Sequence, residues 1–309
     1  MIEHAQPPIA ALLVTFCPDG VRLGALLDAL MPQVAAVVVL HNGGNEGELA
    51  AAIADRQVAL LRQPSNVGLA AAQNAGIAWA RMQGYSHVLM LDQDSLPAPD
   101  MVTRLMHALA SSGRAAAAGP CFVDARDGHS APFVQIGFPI NHKLRCNQAG
   151  GTITADFLIG SGMLIQLAAI DTVGNMDAGL FIDNVDLEWS FRARAAGYEL
   201  LGVCNARMQH RLGDARRHLP GMPRGVVVHS PLRLYYMMRN RVLLYRLPHV
   251  PRLWVAQDVP RVLVKLFLFG ALIGPRRRNL RCMVRGLWDG ARGRKGPAPL
   301  LVEARGDAR

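Results

Sequence analysis

The chain has 309 residues, of which 51% are hydrophobic and 18% charged. That length and balance exclude global disorder and supply a core for one large domain or for two smaller ones sharing an interface. A formal net charge of +10, with a pI near 10, implies attraction to nucleic acid, anionic lipid or phosphorylated substrates and is silent on fold.

The opening MIEHAQPPIAALLVTF has an early acid and two prolines before a short apolar run, so it reads as a first strand and not as a signal peptide. Within it, residues 9–16 are continuously apolar, as expected of a strand buried on both faces of a parallel sheet. A polar CPDG turn leads to the helical VRLGALLDALMPQ. The run VAAVVVLHNGG is a second strand ending in a glycine-bearing loop. A helical GELAAAIADR, a short strand VALLRQP and an alanine-rich helix in NVGLAAAQNAGIAWARMQG follow, and then the strand SHVLMLDQDS. Strands alternating with helices predict an α/β domain with a mostly parallel sheet.

In such sheets ligands sit beyond the carboxyl ends of the strands. Asp92 and Asp94 fall there, separated by Gln93. Two carboxylates so spaced can share a hard divalent cation, and that cation can hold a diphosphate. Short acids also commonly close strands and turns, and the D-x-D pattern alone is weak.

The series LLVTFCPDG, VVVLHNGG, NVGLAAAQNAGI, VLMLDQDS and FIDNVDLEWSFRARAAGYEL resembles the inverting family 2 glycosyltransferases of GT-A fold. The LDQDS form, FIDNVDLEW followed by MQHRLGD, and HSPLRLYYMMRNRVLLYR are similar to the bacterial rhamnosyltransferase branch. The motifs run in order from about residue 9 to residue 246. The resemblance implies a GT-A domain over residues 1–215 and a helical, basic extension over 216–309. It also implies a dTDP-sugar donor, foremost dTDP-L-rhamnose, with Mn2+ or Mg2+ as cofactor. Asp92, Asp94 and His210 would hold the metal, and neutral imidazole beside carboxylates favours manganese. Thr15, Phe16, Asn42, Asn66, Gly68, Asn74, Asp92, Gln93 and Arg239 would line the donor site. For Asn66 and Gly68 a helix cap and tight turn is the plainer reading; for Arg239 a pyrophosphate fork and a packing role stand equally open. His41 replaces the acid that usually precedes Asn42 and reads the nucleobase.

A second acidic cluster holds Asp183, Asp186 and Glu188. An inverting transfer needs a base on the face opposite the departing nucleotide. Asp186 falls on the family's base position and Glu188 two residues beyond it. Asp183 lies one turn before Asp186 and shares its face if the helix has begun. The plain alternative is an acidic first turn favoured by the helix dipole.

Beyond Leu253 the composition changes. The apolar VLVKLFLFGALIG is shorter than the roughly 20 residues a spanning helix needs, and residues 275–295 carry eight Lys or Arg against one Asp. Such a tail either lies on an anionic membrane surface or packs on the catalytic domain; no nucleic-acid motif accompanies the charge. Five scattered cysteines without zinc spacing or a disulfide framework point to a reducing compartment. The expectation is an inverting, metal-dependent enzyme, cytoplasmic or on the inner face of the cytoplasmic membrane. It would pass rhamnose to a saccharide or lipid-linked acceptor in cell-surface polysaccharide or glycolipid synthesis. A family 2 enzyme with another donor and a catalytically silent assembly partner are the alternatives, and a homo-oligomer is left open.

Overall fold

The computed structural model describes residues 8–124, 128–146, 150–210, 215–219 and 222–299. The N-terminal half alternates as the sequence predicts: β1 (Ile9–Thr15), α1 (Gly20–Leu30), β2 (Ala36–His41), α2 (Glu46–Ile53), β3 (Ala59–Arg62), α3 (Leu69–Met82) and β4 (His87–Asp92). After a two-residue β5 (Leu96–Pro97) come α4 (Met101–Ala110), β6 (Ala115–Asp124), β7 (Phe133–Gln135), β8 (His142–Leu144), β9 (Thr152–Ala155), β10 (Met163–Gln166) and α5 (Leu167–Val173). The next elements are α6 (Val185–Ala195), β11 (Glu199–His210), β12 (Ala215–Leu219) and β13 (Met222–Val228), and the last described elements are helices α7 (Pro231–Leu244), α8 (Arg252–Phe267) and α9 (Arg276–Ala291).

The main sheet has the order β3-β2-β1-β4-β10-β6-β11-β5, with β9 also on β11. Strands β3, β2, β1 and β4 are parallel, and β10 runs against both β4 and β6. Successive strand residues point to opposite faces, which explains the unbroken apolar β1. Ala10 and Leu12 enter one core with α3, while Ile9, Ala11 and Leu13 enter another with α1 and α4. The alanines of α3 reflect a tight approach: a Cβ on Gly76 would stand 2.8 Å from Leu40 Cδ1.

Two expectations change. Cys146 and Cys204 form a disulfide that ties the segment before β9 to β11, so the absence of close cysteine pairs in the sequence did not exclude a bridge. The extension after residue 215 begins with the β12–β13 pair before turning helical. No helix among the described residues is long and apolar enough to cross a membrane.

Candidate active site

The carboxyl ends of β1, β2 and β4 meet at one rim of the sheet. Thr15 and His41 face each other in register, as do Val14 and Asp92. Gln93 turns back on β1: its Oε1 accepts from the Phe16 N–H at 2.9 Å, and its Nε2 donates to the Phe16 carbonyl at 3.0 Å. This pair extends the β1–β4 contact past the strand end, and Phe16 stands half-exposed at the rim. The glutamine between the two acids thus fixes the strand ends beside them.

Thr15 and His41 are buried and joined, Oγ1 to Nδ1, at 3.1 Å. His41 Nε2 lies 3.0 Å from Glu46 Oε1, close enough for ion pairing but outside hydrogen-bond alignment. His41 is therefore a strut between β1, β2 and the start of α2. Asn42 and Asn66 build the next corner. Asn42 Nδ2 donates to Asn66 Oδ1, and Asn42 Oδ1 accepts from the Val67 N–H. Asn66 Oδ1 also accepts from the Gly68 N–H two residues on, a local turn rather than the expected helix cap. Gly68 itself occupies the cap position at φ +86°, where a Cβ would come 2.7 Å from the Phe181 carbonyl oxygen. Asn74 exchanges both its amide groups with the Met176 backbone at 2.9 and 3.0 Å. Of the expected donor-site residues, Asn42, Asn66 and Asn74 thus support the rim through their amides.

The three acids of FIDNVDLEW are separated by environment. Helix α6 begins at Val185, so Asp183 precedes it and does not share a helical face with Asp186. Phe181, Asp183 and Asn184 all have positive φ, at 66°, 63° and 63°. Such a run costs of order 1–3 kcal/mol per residue and persists only where its surroundings impose it. The surroundings are visible. Arg233 forks onto Asp183 with three contacts of 3.1–3.3 Å. Asn240 Nδ2 lies within hydrogen-bond reach of the carbonyls of Leu180, Ile182 and Asp183 at 2.7–2.9 Å. Glu188, expected among the catalytic acids, is buried, paired with Arg192 at 2.7 Å and 2.9 Å from His249 Nε2. Arg239 is wholly buried. It donates to the carbonyls of Gly179, Leu180 and Gly296 and lies over the Tyr235 and Tyr236 rings, contacts that fit the packing reading of this residue.

Asp186 is different. Its Oδ2 accepts from the Gly160 N–H and its Oδ1 from the Leu187 N–H, each at 2.9 Å, and it has no cationic partner among the described residues. Part of its surface meets solvent, yet the carboxyl is enclosed closely enough that desolvation lifts its pKa above the ordinary range. The two N–H groups oppose the shift, and the Asp183 charge adds to it.

The segment Gly160–Ser161–Gly162, which no sequence motif singled out, joins this acid to the D-x-D end. Gly160 holds Asp186. Ser161 Oγ accepts from the Asp92 N–H at 3.0 Å and shares a hydrogen bond with Ser95 Oγ at 2.7 Å. The Gly162 N–H reaches the Met90 carbonyl at 2.6 Å, at φ +76°. Its Gly-Ser-Gly composition between two apolar runs was the available signal. Arg233 was missed as well, because its partner lies 50 residues away.

The D-x-D end offers only hard carboxylate oxygens, chemistry that fits Mn2+ or Mg2+. Among the described residues no group of three His, Cys, Asp or Glu side chains gathers to hold a metal. His210 ends β11, and its side chain lies outside the described residues.

A glycosyl transferase family 2 model matches residues 20–173. The chain is 31% identical over 287 residues to a dTDP-rhamnosyl transferase RfbF of Shigella flexneri, covering 92% of this chain and 96% of that one. It is 28% identical over 232 residues to a polyprenol monophosphomannose synthase of Mycolicibacterium smegmatis, covering 70% and 72%. The fold is shared with GalNAc-T7, solved with UDP, GalNAc and Mn2+, at TM-score 0.59 and 13% identity. That match covers 94% of this chain and 57% of GalNAc-T7. It is shared too with S. aureus TarS 1-349 in complex with UDP-GlcNAc, at TM-score 0.59 and 14% identity, covering 96% and 83%. With the family 2 model over residues 20–173 and a 31% identical relative spanning 92% of its length, the chain belongs to glycosyl transferase family 2.

Proposed function

We propose that the chain transfers L-rhamnose from dTDP-L-rhamnose, with inversion, to a saccharide or lipid-linked acceptor at the cytoplasmic face of a membrane. The similarity to the dTDP-rhamnosyl transferase over nearly the whole of both chains carries the choice of donor. The polyprenol-linked relative supports a lipid-linked acceptor.

Asp186 accepts the acceptor hydroxyl proton as that oxygen attacks the anomeric carbon from the face opposite the nucleotide. Its raised affinity for a proton suits this task, and the Gly160 and Leu187 N–H groups hold its orientation. Phe16 offers an exposed ring for the base, with Thr15, Asn42, Asn66, Gly68 and Asn74 shaping the pocket behind it. Asp92 and Asp94, with His210, would hold the divalent cation, which supplies charge stabilisation at the departing diphosphate. Asp183, held by Arg233, lies on the acceptor side.

A panel of nucleotide sugars tests this reading by thermal shift and by donor hydrolysis, with and without Mn2+. dTDP-L-rhamnose should raise the melting temperature and be hydrolysed, more so with the metal. Preference for a UDP-sugar would replace the donor assignment. Binding without turnover of any donor, with every saccharide acceptor tried, would leave a silent assembly partner.

A further inference from the structure

We propose that the outward faces of α8, α9 and the turn between them form a docking surface for a bilayer leaflet carrying anionic headgroups. The helices pack inward by one side only. On α9, Gly286 and Gly290 come so close to α7 that an added Cβ would stand 2.4 Å from the Tyr235 carbonyl oxygen and 2.6 Å from that of Arg239. At about 100° per residue, Leu280, Val284 and Trp288 then lie on the far side, and they are 43%, 53% and 52% exposed. On α8, Trp254, Asp258 and Val262 are buried while Leu263, Val264 and Phe267 are 62%, 57% and 62% exposed. Leu280 also lies against Gly270, so the α9 stripe runs into the turn that ends α8. Contiguous exposed apolar side chains of this size mark an interaction surface.

Charge selects the occupant. Residues 252–295 contain eleven Lys or Arg and two acids. Both acids, Asp258 and Asp289, are buried, at 2% and 0% exposure, so the charge shown outward is positive. Arg276, Arg277 and Arg281 are exposed, and none of them forms an ion pair among the described residues. A second copy docking by this face would set arginine against arginine. An anionic leaflet complements the arginines and receives the apolar stripe between its headgroups. The location fits the proposed function, but docking draws on neither Asp186 nor the donor rim.

The test is co-sedimentation of the full chain with phosphatidylglycerol vesicles and with phosphatidylcholine vesicles, at low and high salt. The parent should bind the anionic vesicles, and salt should weaken binding. Each arginine at an anionic surface contributes roughly fivefold to partitioning, so R276Q/R277Q/R281Q should lower it on the order of 100-fold. F267S/W288S should also release the protein. Dye-monitored melting and donor hydrolysis should remain at parental levels in both variants, which excludes misfolding. Asp186→Asn should bind vesicles like the parent, which separates this inference from the catalytic one. Vesicle binding unaffected by F267S/W288S overturns the proposal, as does a concentration-dependent dimer that the same pair abolishes.

Discussion

Asp186 is held by two backbone N–H groups within a desolvated setting, whereas Asp183 and Glu188 face guanidinium groups. If it is the base, Asp186→Asn should lower turnover by about 100-fold or more while donor affinity stays near parental, measured by steady-state kinetics and donor titration. A base must be ionised, and this carboxyl's pKa is raised. The parental rate should therefore fall on acidification with a midpoint above the ordinary aspartate value of about 4. The same shift has a stability consequence. Between the unfolded and folded pKa the native state binds more protons, so stability drops as pH rises through that window and the cost persists above it. Asp186→Asn removes that pH-dependent cost but leaves one of the Gly160 and Leu187 N–H groups without an acceptor, so its melting temperature relative to the parent should rise as pH climbs from acid to neutral. Asp183→Asn removes the Arg233 fork and should instead lower the melting temperature. At the other end of the rim, Phe16→Ala should weaken dTDP-sugar binding by roughly 1–3 kcal/mol, the scale of base–aromatic stacking, as read by isothermal titration. An unchanged affinity would remove Phe16 from the donor site.

At the scale of elements, the connection between β9 and β10 couples the two halves of the site. Ser161 is buried and bridges the Asp92 N–H and Ser95, while its neighbour Gly160 holds Asp186. Ser161→Ala leaves a buried N–H without its acceptor, a cost of about 1–3 kcal/mol. It should also shift the end of β4, so KM for the donor and the apparent metal requirement should both rise. A variant that loses stability alone, with kinetic constants intact, would reduce Ser161 to a packing residue. Gly162 tolerates no side chain for a separate reason: besides its positive φ, a Cβ would meet Pro120 Cγ at 2.7 Å.

Across the whole molecule, the helical end of the chain holds the strained acidic loop. Arg233, Arg239 and Asn240, all on α7, reach the side chain of Asp183 and the carbonyls of residues 179–183. Helix α9 in turn packs on α7, through Gly286 and Gly290. These contacts predict that the pieces on either side of residue 215 do not fold independently. A chain cut after residue 215 should lose donor hydrolysis, and the full chain should unfold in one cooperative transition by calorimetry. Two separate transitions, with activity retained by the shorter piece, would show an independent catalytic domain.

The alternation of β1 to β4 with α1 to α3 was legible because continuous apolar strands and helical spacing are local properties, set by which side chains must be buried. The position of the acid pair at the end of β4 was legible for a related reason, because an apolar run gives way there to a polar turn; Asp186, in the first turn of α6, was singled out by motif order alone. Arg192 stood within reach of Glu188 as its i+4 neighbour on α6, but the sequence could not say which of the other acids stays free of a cation, since that depends on Arg233 arriving from elsewhere in the chain. Nor could it assign Arg239, whose fork suits a diphosphate as well as the carbonyls it meets. The Cys146–Cys204 bridge, the Ser161 link and the inward side of α9 were equally closed to it. Local patterning determined the elements and their rim. Long-range contacts, which carry no periodic signal, decided the partners and support of each group standing on it.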